Sequence, residues 1–182
     1  DPGFNSLILA QKNLEEKGIH NVQLVQAYSQ HIPIPPDTFD YISALNVLEH
    51  VFDLDQTMSE ICRTLKPGGQ FVADSRNRFD PFFPEPHVKI RWVGMLPRKW
   101  APRYVKWRTG TIYNHTFLLS YFDLRRSLIK YFGKQHKIIF PGVDAYGWPA
   151  WFNDLTHSLE RLPPLAFLAL QIFPSHLVIA QK

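Results

Sequence analysis

The sequence has little cysteine and no long uninterrupted apolar run, and both shortages narrow the possible classes of protein. Cys62 is the only cysteine among 182 residues, which excludes an intramolecular disulfide and favours a cytoplasmic location. The longest apolar stretch, residues 162–173, is broken by Pro163, Pro164 and Gln171 and is far shorter than the ~20 residues of a membrane-spanning helix. We therefore expect a globular protein with a buried or interfacial helix in that stretch.

The first residues of the chain show no leader pattern. The chain begins with Asp1 rather than Met, and no charged segment followed by an apolar one comes next, so we predict no signal peptide in these residues and expect a fragment of a longer protein. With 45% hydrophobic and 14% aromatic residues, residues 1–182 suffice for one domain with its own core.

Positive charge is concentrated in one segment. The net charge is only +4, yet nine of the 20 Lys and Arg residues lie between Ser75 and Arg108, where Asp80 and Glu85 are the only acidic residues. Tryptophans are interleaved with these cations. Residues 77–116 are rich in proline and show no sustained period, which predicts an irregular cap with short helical pieces inserted within the domain.

The remaining pattern alternates between strands and helices. We predict a helix over 6–17 capped by Asn5 or Ser6, a helix capped by Asp53 or Asp55, and a helix from Ser120 to Gly133. We predict strands over 22–25, 41–45, 70–74, 137–140 and 177–180. Strand, helix and strand over residues 41–74 are typical of a parallel crossover. Open α/β sheets bind ligands at the carboxyl ends of such strands.

Three segments carry a family resemblance: Phe39-Asp40, Asn46-Val-Leu-Glu-His-Val51 and Leu65-Lys-Pro-Gly-Gly69. They closely resemble a class I S-adenosylmethionine-dependent methyltransferase of the type 11 kind, over about residues 1–75 in order and spacing. The resemblance implies an α/β, Rossmann-like sheet, S-adenosylmethionine as the cofactor, and methyltransferase activity.

The family arranges its strands in the order three, two, one, four, five, seven, six, and places a glycine-rich signature after strand one. That signature is absent from these 182 residues. We therefore expect a sheet that lacks strand one and most of strand two, and a sequence that is the C-terminal part of a longer protein. We also expect this chain alone to bind the cofactor weakly or not at all.

The resemblance further implies five cofactor-binding residues. Asp1 matches an acidic residue that holds the ribose hydroxyls, and Tyr28-Ser29 stands where the family commonly has an Asp-Ala pair facing adenine. Ile32 matches a residue that packs on the adenine face. Asn46 matches the position beside the methionine part of the cofactor.

Methyl transfer from a sulfonium needs alignment and a dry site more than it needs a base. If the acceptor is a hydroxyl, His50, His87 or His115 can take its proton, and His50 is our catalytic candidate. No metal is expected.

The cap follows strand five, where the family inserts structure that binds the acceptor. We predict Arg78, Glu85, His87 and Arg91 as substrate-binding residues. Arginines can bind carboxylate or phosphate in a bidentate manner, and indole rings pack on sugar or lipid. The expected acceptor is a small molecule, or one linked to lipid or sugar, with anionic groups.

Two other hypotheses stay open. The missing glycine signature and the Tyr28-Ser29 departure are compatible with a catalytically inactive, methyltransferase-like binding module. The basic, aromatic cap is compatible with binding to nucleic acid or to an anionic membrane, but the net charge is modest and no RNA-binding module pattern is present. We therefore expect no nucleic-acid partner, and leave peripheral membrane contact and the oligomeric state open.

Overall fold

A four-stranded sheet organises the molecule. The computed structural model describes residues 2–114, 116–141 and 151–182. Its strands are β1 (Phe39–Ala44), β2 (Leu65–Arg76), β3 (His136–Ile139) and β4 (Ser175–Gln181), in the order β1-β2-β4-β3. β1 and β2 are parallel, whereas β4 is antiparallel to both of its neighbours. The α/β fold and the parallel crossover are thereby confirmed, and the order matches strands four, five, seven and six of the Rossmann-like methyltransferase sheet.

In the described residues, six helices accompany the sheet. They are α1 (Phe4–Glu16), α2 (Leu54–Thr64), α3 (Ala101–Thr109), α4 (Tyr121–Phe132), α5 (Trp151–Glu160) and α6 (Pro163–Leu170). None of the helices in the described part of the chain is long and apolar enough to cross a membrane.

The main core lies between the sheet and the helices α2 and α4. Met58 and Ile61 of α2 and Leu128 of α4 are buried against β2. The ring of Phe71 stacks on that of Phe132 with 5.9 Å between centroids. The buried residues recur every three or four positions along each helix, which gives each helix one apolar face. Burial of these faces holds the crossover in place.

Two helix starts were correctly predicted. Asp53 caps α2 by accepting a hydrogen bond from the backbone N–H of Gln56 at 3.0 Å. Ser120 and Asp123 form a capping box at the start of α4, which ends at Gly133. Both caps satisfy backbone donors that the first helical turn leaves unpaired.

Two other predictions were wrong. α1 begins at Phe4 after Gly3, with no side-chain cap from Asn5 or Ser6. Residues 22–25 form no strand. A strand needs a hydrogen-bonded neighbour, and the described sheet offers none on that side of β1.

The cap over 77–116 is mostly irregular with short helical pieces, as predicted. It contains a 3-10 turn at Val93–Met95 and helix α3, with a small core of its own formed by Val93, Ala101, Val105 and Tyr113. Beside it, Phe140, Phe152, Leu170 and Phe173 form a third buried cluster that joins α5 and α6 to the sheet. The assignment of residues 1–182 to one domain stays a prediction.

Candidate functional site

A cleft of about 740 Å³ opens where β1 and β2 end. Its lining comes from three segments: the turn after β1, the end of β2, and the first part of the cap. The lining residues are Asn46, Glu49, His50, Arg76, Phe83, Pro84, Glu85, Pro86, His87 and Lys89. Because β1 and β2 are parallel, both carboxyl ends meet at this edge, which is the ligand-binding edge of open α/β sheets.

The turn after β1 is fixed by a buried carboxylate. Asn46 adopts a left-handed backbone conformation with φ of 52°, which asparagine tolerates better than most residues. Its backbone N–H donates to Oδ1 of Asp74, a buried residue near the end of β2. The turn therefore bends sharply and leaves the Asn46 side chain exposed in the cleft.

Glu49 places a second buried carboxyl group beneath the cleft. It is 2% exposed, and its Oε2 has no hydrogen-bond partner among the described residues. Burial raises the pKa of this carboxyl above its usual range, and Asp74 adds to the effect while His50 and His87 oppose it. The backbone N–H of Phe117 donates to the Glu49 carbonyl at 2.6 Å and ties the cap's far end to this turn.

A glutamate and a histidine form a hydrogen-bonded pair at the cap side of the cleft. Nδ1 of His87 lies 2.6 Å from Oε1 of Glu85, whose side chain is 3% exposed while that of His87 is 42% exposed. Oε2 of Glu85 accepts the backbone N–H groups of His87 and Val88 at 2.9 and 2.8 Å. The His50 ring meets the His87 ring edge-on, with 4.9 Å between centroids.

The two ring nitrogens of His87 have different surroundings. With Nδ1 directed to a buried carboxylate, Nε2 is the nitrogen left to accept a proton from a molecule in the cleft. A buried carboxylate that orients a histidine also stabilises the imidazolium that forms. This is a geometry in which a histidine can act as a general base.

Two cations also line the cleft. Arg76 ends β2 and makes an ion pair with Asp80 at 3.1 Å, and Lys89 is exposed at the rim. Oδ1 of Asp80 in turn accepts the backbone N–H groups of Phe82 and Phe83, which shapes the chain as it leaves the sheet. Burial raises the pKa of Asp80, with the two backbone N–H groups opposing it.

Arg78 and Arg91 bind backbone carbonyls within the cap. The Arg78 guanidinium donates to the carbonyls of Gly94 and Leu96 at 2.7 and 2.9 Å, so it holds the cap together. Arg91 is exposed and donates to the carbonyl of Phe82 at 3.0 Å. Neither belongs to the lining of the cleft, and their assignment as substrate-binding residues stays a prediction.

The predicted adenine-side residues lie against α2, away from that lining. The Tyr28 side chain is 68% exposed, and the Ser29 hydroxyl is 3.0 Å from that of Thr57. The backbone N–H of Ile32 donates to Glu60 at 2.9 Å. The Arg63 guanidinium lowers the pKa of Glu60 to about 2. Arg63 also donates to the carbonyls of Ile34 and Ile32 at 2.8 and 2.9 Å, and these hydrogen bonds hold the loop to α2.

The structure thus brings together Asn46, His50, Glu85 and His87 in one cleft. Asp1 and His115 lie outside the described residues. The sequence did not point to the buried carboxyl group of Glu49 as a site residue, because its burial depends on the cap folding over it. In the described parts of the chain, no group of three or more His, Cys, Asp or Glu is placed to hold a metal ion.

Known proteins share this fold. Residues 1–73 match the family model of a methyltransferase domain. A methyltransferase of Bacillus subtilis named YcgJ is 31% identical over 98 residues, which are 54% of this chain and 37% of that protein. Its crystal structure aligns with a TM-score of 0.60 at 19% identity, over 100% of this chain and 80% of that one.

Two further methyltransferases are similar to this chain. A demethylmenaquinone methyltransferase of Listeria monocytogenes is 36% identical over 68 residues, covering 37% of this chain and 29% of that protein. Phosphoethanolamine N-methyltransferase 2 of Haemonchus contortus, solved with S-adenosyl-L-methionine, aligns with a TM-score of 0.59 at 16% identity over 100% of this chain and 42% of that one. The chain thus spans only about a third of the length of the curated relatives that it matches.

Proposed function

We propose that this chain is part of a class I S-adenosylmethionine-dependent methyltransferase, and that its strand-end cleft is where a methyl group passes from S-adenosylmethionine to an acceptor. One observation carries the proposal. Asn46 and Glu49 from the end of β1, and Glu85 and His87 from the cap, line one cleft at the carboxyl ends of parallel strands.

The floor of the cleft fits a cationic cofactor. S-adenosylmethionine bears a positive sulfonium, and the buried carboxyl groups of Glu49 and Asp74 lie beneath the cleft. The Glu49 Oε2, which has no partner among the described residues, offers an acceptor for a cationic group. Since burial raises the pKa of Glu49, a bound cation would stabilise its ionised form. Asn46 is positioned beside the same floor.

We propose that a different part of the chain binds the adenine end of the cofactor. Tyr28 exposes its ring next to the loop that Glu60 and Arg63 clamp to α2, so the ring is available to stack on a base. Ser29 and Ile32 flank it. We propose that this loop holds the adenine end while Asn46 holds the methionine end.

We propose that residues of the cap bind the acceptor and remove its proton. When bound, S-adenosylmethionine supplies a methyl group that the sulfonium has already activated. His87 would take the acceptor's proton at Nε2, and Glu85 would stabilise the resulting imidazolium. His50, in edge contact with His87, closes that side of the cleft.

The acceptor is proposed to be small, or linked to lipid or sugar, and to carry anionic groups. Arg76 and Lys89 at the cleft support this choice, because guanidinium and ammonium groups bind carboxylate and phosphate.

A turnover assay tests the proposal. The whole natural protein that contains this chain is incubated with methyl-labelled S-adenosylmethionine and candidate anionic acceptors, and His87→Gln is compared with wild type. We expect His87→Gln to lower kcat by about 100-fold or more, because the general base is lost, while cofactor affinity stays within about twofold. His136→Gln is the matched control, since His136 begins β3 at the opposite edge of the sheet.

Two results would contradict parts of the proposal. Unchanged turnover in His87→Gln would remove His87 from catalysis. Tight cofactor binding without methyl transfer to any acceptor would favour the inactive binding module instead.

A further inference from the structure

Helix α3 and the residues beside it expose large apolar side chains. Trp100 and Trp107 are 60% and 79% exposed, and Ile112 is 70% exposed. The two tryptophans are seven residues apart, about two helical turns, so they lie on one side of the helix. Ala101 and Val105 occupy the other side and are buried in the cap's own core.

The same surface is strongly basic. Residues 86–122 include seven Lys and Arg residues and no Asp or Glu. Arg98 is already paired with Asp123 at 2.8 Å. Four exposed cations around α3 form no ion pair with any described residue: Lys99, Arg103, Lys106 and Arg108. Arg103 lies between the two tryptophans on the helix surface.

From this combination we propose that α3 and its flanks, residues 99–112, form a docking surface for an anionic lipid membrane. Exposed tryptophans are costly in water but favourable at the boundary between headgroups and acyl chains. Unpaired Lys and Arg residues beside them are attracted to anionic headgroups. Apolar and cationic groups on one helix face are what an interfacial helix needs.

A membrane explains the surface better than nucleic acid does. The exposed side chain of Ile112 has no face that stacks on a base, whereas it can enter the acyl boundary. α6 also exposes apolar side chains, among them Leu168, but residues 162–175 carry no charged side chain. Charge complementarity therefore selects α3 as the contacting element.

The surface is mechanically connected to the cleft. Val88 and Ile90 pack on the same small core as α3, and His87 directly precedes Val88 in the chain. A membrane-docked α3 would thus hold the cleft close to lipid-linked acceptors. Only this last consequence depends on the proposed function; docking itself does not require methyl transfer.

Co-sedimentation with vesicles tests the inference on the natural protein. Vesicles of phosphatidylcholine alone are compared with vesicles that also contain phosphatidylglycerol. We expect binding to the anionic vesicles only, weakening as salt screens the charges. Arg103→Glu with Lys106→Glu should lower the partition coefficient by about 25-fold or more, given an expected loss of about fivefold for each basic group removed.

Charge-matched and fluorescence controls sharpen the result. Lys134→Glu with Lys137→Glu changes the net charge equally, at the start of β3, and should leave binding within about twofold. Brominated lipid should quench tryptophan fluorescence in wild type, and less in Trp107→Phe. Circular dichroism confirms that each variant is folded.

The inference would be overturned by equal binding to both kinds of vesicle, or by equal losses in the two charge-reversed variants. It would also be overturned if single-stranded RNA were bound at a salt concentration at which anionic vesicles are not.

Discussion

His176 on β4 allows a quantitative test of how the sheet is joined to α6. The ring is 0% exposed, its Nε2 donates to the carbonyl of Leu170 at 2.8 Å, and its Nδ1 has no partner among the described residues. Burial lowers the pKa of His176 from 6.5 to about 4, and the hydrogen bond to Leu170 opposes that shift. A proton on Nδ1 would be a buried charge without an acceptor.

The sign of the effect follows from linkage. Between pH 6.5 and about pH 4 the unfolded chain binds a proton at His176 that the folded chain does not. The contribution to the free energy of unfolding is fully present above pH 6.5 and is lost as the pH falls through this window. The loss amounts to about 2 kcal/mol at about pH 5 and about 3 kcal/mol at about pH 4.

His176→Gln removes the titration but keeps an N–H donor for Leu170. Urea unfolding, followed by circular dichroism from about pH 7.5 to about pH 5, should show wild type losing about 2 kcal/mol more than the variant. Phe173→Leu is the control, since Phe173 packs nearby and its substitution changes stability without titrating. Parallel pH profiles for wild type and His176→Gln would show that burial of the His176 ring does not make stability depend on pH.

Three further substitutions test other parts of the structure by urea unfolding or activity. Ser120→Ala removes the cap of α4 and should cost about 1 kcal/mol, with no cost contradicting the capping box. Leu128→Ala empties a fully buried site in the main core and should cost about 2–5 kcal/mol, so a smaller value would show that the core collapses around it. Gly94→Ala should disrupt the cap and abolish turnover, because the added Cβ would lie 2.0 Å from the Arg78 carbonyl oxygen; unchanged turnover would show that the cap adapts.

The elements that the sequence predicted correctly depend on nearby residues. The β1–α2–β2 crossover follows from apolar period and from the cap at Asp53, and α4 follows from Ser120 and Asp123. Residues 22–25 have strand-like composition, but a strand also requires a partner from elsewhere in the chain. Local pattern carries no information about that partner.

Only part of the candidate site could be predicted from the sequence, because some of its contacts join residues that are far apart in the chain. The turn at Asn46 and the Glu85–His87 pair are contained in short segments, and both were selected from the sequence. The position of the cap depends on Asn77, whose amide donates to the carbonyls of Gln171 and Phe173 at 2.9 and 2.8 Å. Contacts across more than ninety residues leave no local pattern, so the burial of Glu49 could not be foreseen.

A crystal structure of the natural protein with S-adenosylhomocysteine and an anionic acceptor tests most directly whether methyl transfer takes place in the strand-end cleft. We expect the cofactor's sulfur in the cleft beside Asn46, with the acceptor atom about 3–3.5 Å from the position of the transferred methyl group and within hydrogen-bond reach of Nε2 of His87. A cofactor bound away from the ends of β1 and β2, or an acceptor on the far side of the cap, would show that the cleft is not the site of transfer.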